Sequence, residues 1–582
     1  MHRRALMQGG VTTAAIALAP ALSAKPVAQG GRIDGYRRLI GDGMARRRLT
    51  GASAILVHEG AVVWAEGFGQ ADRENRVSMR PDTILPIGSV AKTFTALALM
   101  QLRSEGRVDI DRPVRDYVPD LRIGARGADL DRVTVRSVMT HTSGLPSDVF
   151  KNTGLESADY TDVAGLLNDT ELAAWPQTIG LYSNIGYSLL GNVIRNISGQ
   201  AYPDYVRTRI LRPMGMARSG FAMEAGLPAR SRLYYQDGRP TPPLELRDQP
   251  AGGLYSSVDD LARYAIGLME AWRGAPSPLI NPASVQAMFR LSNDHIAVET
   301  NRKGLGWFMF QRGDAFAMYH AGSTGFANAA LLLLPQRRIA AAILVNSVGG
   351  DALASEFAFR VLEDSGLKTA DIRPTPHLPA IDPKATPVNL AAEALAAHVG
   401  DYPRKRTFAT VALDGDRLVL DQPDGRVRLR PLSDGSFQPL TEAEGGQPRA
   451  VVGERYRFAE VGPYHVLFSQ SDDGAERQAG YRVVTAPLAD SWRARAGRYD
   501  HFGYQMPGAE QILAAEIKVL QERLLQLTLV YNSGAFTYPL VVAGPLHAFT
   551  GGLGPETTGE LIRFSEEGVL IYSGLTFRRS DG

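Results

Sequence analysis

The period of apolar and polar positions shifts along this 582-residue chain, and the shifts mark its elements. "SAILVHEGAVVWAEGFG", Ser53 to Gly69, alternates on both sides of a turn at His58–Gly60, which predicts a strand hairpin. "TFTALALMQLRSEGRVDI", from Thr93, is apolar almost all round before it turns polar, the pattern of a helix buried inside a domain. "NIGYSLLGNVIRNISGQ", from Asn184, has helical spacing and a stop at Gly199. "SSVDDLARYAIGLMEAW", from Ser256, opens like a capped helix with Ser257 and Asp260. "AALLLLPQRRIAAAILVNS", from Ala329, reads as two central strands around a polar turn. Residues from about Arg32 to Leu367 thus predict an α/β (α+β) domain, an antiparallel sheet carrying helices, with strands from both of its ends.

The pattern changes at "IRPTPHLPAIDPKATPVN", Ile372 to Asn389, where five prolines and no period predict a linker. Beyond it the text is short strands and turns. "ATVALDGDRLVLDQPDGRVRLRPL", from Ala409, is strand, Asp-Gly turn, strand, Asp-Gly turn, strand. A weak repeat runs through this region. "AAHVGDY" ends at Tyr402 and "RARAGRY" at Tyr499, and an aromatic follows each, Phe437 and Phe549. Two small antiparallel β-barrels of about 95 residues each are the economical reading. The expected division is 1–28 leader, 32–368 first domain, 369–389 linker, and barrels at 390–487 and 488–582.

Composition narrows the class. With 63 basic and 61 acidic residues the net charge is +2, and no basic run stands out, which argues against a nucleic-acid partner. Cysteine is absent, so a thiol nucleophile, thiolate metal ligands and disulfides are excluded. Only eight of the basic residues are lysine, so a lysine at a suggestive spacing carries weight. The first 28 residues, "MHRRALMQGGVTTAAIALAPALSAKPVA", run from two arginines through small apolar residues to Ala-Leu-Ser-Ala. This is the three-part pattern of an export signal, with Arg3-Arg4 and Leu6 resembling the twin-arginine type. Its apolar part is too short for a stable membrane anchor, and the expected location is periplasmic or secreted.

The chemistry starts at "PIGSVAKTFTALALM", Pro86 to Met100. Ser89 and Lys92 lie three apart, which puts both on one face of a helix. Ser89 follows Gly88 at the helix start, where backbone N–H groups favour a developing oxyanion. Burial of Lys92 by the apolar helix would lower its pKa and make a neutral base. The same text also reads as a serine cap beside a surface lysine. A second Ser-x-x-Lys, Ser365–Lys368, lies near the linker without a buried helix behind it. Two further segments follow in order, Tyr182-Ser183-Asn184 and His320-Ala321-Gly322. Together the three are what a penicilloyl-type acyl transferase needs. Tyr182 is a second proton shuttle, Asn184 a donor to a substrate amide, and the strand at His320 a binding edge. Gly322 leaves room for close approach, and the N–H of Ser323 pairs with that of Ser89 as an oxyanion hole. His58-Glu59-Gly60 and His398-Val399-Gly400 also fit His-x-Gly, but order and flanks select His320.

These segments resemble the serine β-lactamase-related hydrolases, which include AmpC-type β-lactamases, D-alanyl-D-alanine carboxypeptidases, D-aminopeptidases and related esterases. "MTHTSGLP" (Met139–Pro146), "LRPMGM", "PAGGLYSSVDDLARY" and "GLGW" are similar to the family's phrasing in the same order, and the likeness runs from about Ile33 to Ser347. The resemblance implies a β-lactamase/transpeptidase-like catalytic domain and lipocalin-like barrels. It implies acylation of Ser89, with Lys92 and Tyr182 sharing proton transfer and Asn184 and His320 positioning substrate. No metal or cofactor is implied. β-Lactamases of this group carry Lys-Thr-Gly where this chain has His-Ala-Gly, and His-x-Gly resembles the peptidase side. A catalytic domain with two barrels resembles D-aminopeptidases, in which a loop of the last barrel reaches the active site; residues near His501–Gln511 are the expected equivalent. The expected substrate is a small peptide, a D-amino-acid amide, an ester or a β-lactam. An esterase or β-lactamase on the same fold, and a non-catalytic sensor of β-lactams or peptidoglycan fragments, are the alternative readings.

Overall fold

The computed structural model describes residues 29–580 except 150–162, 222–229, 243–245, 278–279, 300, 374–377, 405, 424, 443–447, 472–475, 484–486, 504, 506–510 and 553–558. The alternating text at Ser53–Gly69 forms β1 (Gly51–His58) and β2 (Ala61–Asp72), and β3 (Val77–Ser78) pairs with β2. The later strands are β4 (Lys303–Gly304), β5 (Trp307–Arg312), β6 (Ala315–Ser323), β7 (Asn328–Leu334) and β8 (Ile339–Val345). They complete an eight-stranded sheet in the order β3-β2-β1-β8-β7-β6-β5-β4. Strands from the two ends of the domain therefore meet at its centre, where Ala52 pairs with Val345.

The apolar runs of β7 and β8 are unbroken because both faces of the sheet are covered. Leu331 and Leu333 point into one core, with Ala342 and Leu344. Leu332 and Leu334 point into the other, with Ala341 and Ile343. That second face is covered by α1 (Gln29–Arg47) and the last helix of the domain, Asp351–Asp364. The first helix was not legible in the sequence. It carries five glycines, and Ile33, Tyr36, Leu39, Ile40 and Met44 mark a narrow apolar stripe. On the opposite face α2 (Ala91–Ser104), α3 (Asn184–Ser198) and α4 (Val258–Trp272) fill the larger core. Ser183 caps α3 by accepting from the Gly186 N–H, and Gly199 ends it at φ 75°. Ser257 caps α4 in the same way. Phe94 of α2 stacks on Tyr264 of α4 at 4.0 Å.

Both C-terminal units are barrels. In the first, strands from Gly400–Pro403 to Glu476–Tyr481 form one sheet that nearly closes, with Asp401 bridging to Val483. In the second, eight strands from Gly497–Phe502 to Leu575–Arg579 close completely. The repeat is physical: Tyr402 and Tyr499 are both buried, and each hydroxyl donates to a carbonyl four residues back, His398 and Arg495. Among the described residues no helix is long and apolar enough to cross a membrane. The leader expected at 1–28 lies outside the described residues.

Candidate functional site

Strand pairing fixes the segment that enters the site. Leu85 and Pro86 pair with Ser256 and Tyr255, and the Ile87 N–H donates to Leu254. The chain then turns through Gly88, at φ 50°, into a single 3-10 turn, Gly88–Val90, which runs on into α2. Ser89 thus sits just ahead of the α-helix, and Lys92 is its second residue. A side chain on Gly88 would strike the backbone of Ser323, and one on Gly322 would lie 2.0 Å from the Ile87 oxygen. The two glycines let β6 press against the Ser89 turn, which brings the Ser323 backbone beside Ser89.

Lys92 is fully buried, and its amine touches three oxygens. Asn184 Oδ1 lies at 2.7 Å, the Ala251 carbonyl at 2.8 Å and Ser89 Oγ at 3.0 Å. A neutral amine has two N–H donors and one lone pair. With the donors given to Asn184 and Ala251, the lone pair faces the Ser89 hydroxyl. Burial lowers the lysine to about 7, against the pull of Asp148 and Asp248. The Tyr182 hydroxyl engages Ser89 as well. Burial pushes this phenol well above its ordinary value, so it stays protonated while Lys92 is free to be the base. The structure thus brings Ser89, Lys92, Tyr182 and Asn184 into one contact group.

His320 is buried on β6, with Nδ1 2.6 Å from the Ala321 carbonyl oxygen and its ring beside Phe308. The carbonyl can only accept, so Nδ1 carries the proton. Burial and the nearby lysine push His320 down to about 3, so the imidazole is neutral. The rival pair is of another kind: Ser365 is buried and donates to the Leu362 carbonyl, and Lys368 heads a short 3-10 turn.

Four residues of the site were given no role in the sequence reading, although His141 lies within the Met139–Pro146 segment. His141, at φ 58°, stacks on Tyr182 at 4.1 Å, and its Nδ1 accepts from the Ser183 N–H. Asp148 accepts from Asn184 Nδ2 at 3.1 and 3.3 Å. Asp248 is held by the buried Arg247 and accepts from Ser188. The fourth is Glu560 of the second barrel. It is buried and accepts from the Ser147 N–H at 2.7 Å. Burial pushes Asp148 and Glu560 up to about 7 each, and Asp248 adds to the rise at Asp148. The segment near His501–Gln511 lies largely outside the described residues. Among the described residues the second barrel meets the site region through Gly559, packed on the Ala173 oxygen, and Glu560.

The family model described as Beta-lactamase matches residues 36–363, more than half of the chain. The chain belongs to the β-lactamase family. Among its relatives, the protein flp of Staphylococcus aureus (strain N315) is 26% identical over 333 residues. That match covers 56% of this chain and 64% of flp, so the chain spans under two thirds of that relative's length. Solved structures of similar fold cover more. The octameric penicillin-binding protein homologue from Pyrococcus abyssi covers 75% of this chain and 98% of its own, at 25% identity and a TM-score of 0.51. SurE covers 78% of this chain and 100% of its own, at 25% identity and a TM-score of 0.56, and a SurE structure with D-Leu is similar in fold. Membership in this family of serine hydrolases agrees with the Ser89–Lys92 geometry.

Proposed function

We propose that this β-lactamase-family chain is an exported D-amino-acid-specific peptidase that cleaves amide bonds through an acyl-enzyme on Ser89. The observation that carries the mechanism is the buried Lys92 amine 3.0 Å from the Ser89 hydroxyl oxygen. Lys92 takes the Ser89 proton as Oγ attacks the carbonyl carbon. The backbone N–H groups of Ser89 and Ser323 receive the oxyanion, and the protonated Lys92 with Tyr182 returns a proton to the leaving amine. Water then releases the acyl group by the same path in reverse.

The charges around the site favour a substrate with a free amino end. His320 is neutral, so this strand offers no fixed cation to a substrate carboxylate. Arg247 and Lys303 are buried and bound to Asp248 and Glu299. Asp248 is taken up by Arg247, and Asp148, pushed up to about 7 by burial, is an acidic group beside Lys92 that carries its charge above that pH. An ammonium group is the matching partner, as an aminopeptidase requires. The fold shared with SurE, which has been crystallised with D-Leu, supports a D-amino-acid substrate.

A panel of D-alanine anilide, a D-Ala-D-Ala peptide, a β-lactam chromophore and a short-chain nitrophenyl ester tests the reading. Turnover of the anilide, lost in Ser89→Ala, is expected. Turnover of the dipeptide or β-lactam alone would reverse the charge argument, and turnover of the ester alone would make the chain an esterase. N-terminal sequencing of secreted or periplasmic material tests export, with a start near residue 29 expected.

A further inference from the structure

We propose that Glu560, on the second barrel, is a positioning residue for the Ser89–Lys92 pair. The proposal rests on the acyl-enzyme reading above, and the contacts that carry it form one path. Glu560 is fixed on its own barrel: its N–H donates to Thr550 Oγ1 at 2.9 Å, and Ser573 donates to its Oε2 at 3.0 Å. Its Oε1 receives the Ser147 N–H. The Ser147 carbonyl accepts from the N–H groups of Asn184 (2.8 Å) and Ile185 (3.3 Å). Both sides of Ser147 are thus committed, one to the barrel and one to the first turn of α3.

Asp148 follows directly and is held where both its oxygens face Asn184 Nδ2. Once ionised, Asp148 can only accept, and it then selects the amide orientation that turns Asn184 Oδ1 toward Lys92. With the amide reversed, an NH2 group would face the lysine, and the amine would lose an acceptor. Its lone pair would no longer be directed at Ser89. The barrel docks without Glu560: Gly559 packs on Ala173, and Arg126 covers the Phe549 ring at 3.5 Å. A buried carboxylate is a costly way to add one more docking contact. Its value lies in what the Ser147 peptide holds.

The test compares Glu560→Ala, Glu560→Gln and Glu560→Asp in the full chain. The rate of Ser89 acylation by a fluorophosphonate probe is read alongside the melting temperature. Glutamine keeps an acceptor for Ser147 and gives its NH2 to the Ser573 oxygen. Aspartate keeps the carboxylate but withdraws it by one methylene. Glu560→Ala is expected to slow acylation tenfold or more, Glu560→Gln to restore it to within about threefold of wild type, and Glu560→Asp to remain slow. Glu560→Ala acylating at the wild-type rate would overturn the proposal. So would Glu560→Gln as slow as Glu560→Asp, a comparison that stands even where the alanine variant does not fold. A wild-type chain that does not label at Ser89 would instead sink the hydrolase reading itself.

Discussion

A lysine with no solvent around it keeps its proton only at a cost, and Lys92 meets that cost by titrating near 7 rather than above 10. In the proposed mechanism the neutral amine is the base, so Ser89 acylation should fall about tenfold per pH unit below that point and level off above it. A fluorophosphonate rate profile from pH 5 to 9 reads this directly, and a flat profile would remove Lys92 from the base role. Asp148 raises the lysine value, so Asp148→Asn takes away a charge that favours the ammonium. Its acid limb should move to lower pH, while the new side chain still offers one oxygen to Asn184. At this scale the sequence was legible where chemistry coincided with a period. Ser89 and Lys92 share a helix face ahead of an apolar run, and Tyr182 and His320 stand in ordered segments. Asp148, Asp248 and Glu560 are single carboxylates in irregular segments, and no spacing marks them. Glu560 meets Ser147 across 413 positions, a distance at which only the folded chain makes neighbours.

Elements were legible wherever a cap and a stripe agreed. Ser183 opens and Gly199 closes a helix that the text also spaces correctly, and the unbroken apolar runs of β7 and β8 announce a sheet covered on both faces. The helix Gln29–Arg47 was missed because its glycines contradict its narrow stripe, and packing against Phe357 and Leu353 decides in its favour. What no pattern could show is how closely two elements approach. The Ser89 turn and β6 are in contact because Gly88 and Gly322 carry no Cβ, and the Gly322 position faces backbone, which cannot step aside. Gly322→Ala should therefore push β6 from Ser89 and displace the Ser323 N–H. Loss of one oxyanion donor costs on the order of 10²-fold in rate. Acylation of Gly322→Ala measured beside its circular dichroism checks this, and a normal rate would show that Ser323 gives no such donor.

At the scale of the molecule, the first barrel braces the catalytic domain through residues that alternate along one strand. Leu467 points into the barrel core, while Val466 and Phe468 point outward into a cluster with Ala174, Ile179 and Val298. An outward apolar pair on a small barrel is a docking surface, and here it lies behind the segment that leads to Tyr182. Ile179 bridges to Val298, the Gly180 N–H donates to Val298, and the Leu181 N–H donates to His141, whose ring carries Tyr182. The Tyr464 hydroxyl closes the contact by accepting from the Trp175 N–H at 3.1 Å. Truncating a buried phenylalanine to alanine costs about 3–5 kcal/mol, and at Phe468 the cavity opens between the two domains rather than within either. Phe468→Ala should thus lower the unfolding temperature and slow Ser89 acylation together, although residue 468 touches no reacting group. Calorimetry and probe labelling of the same preparation decide it. A lower melting temperature with an unchanged labelling rate would mean that the first barrel stabilises the chain without holding Tyr182 in place.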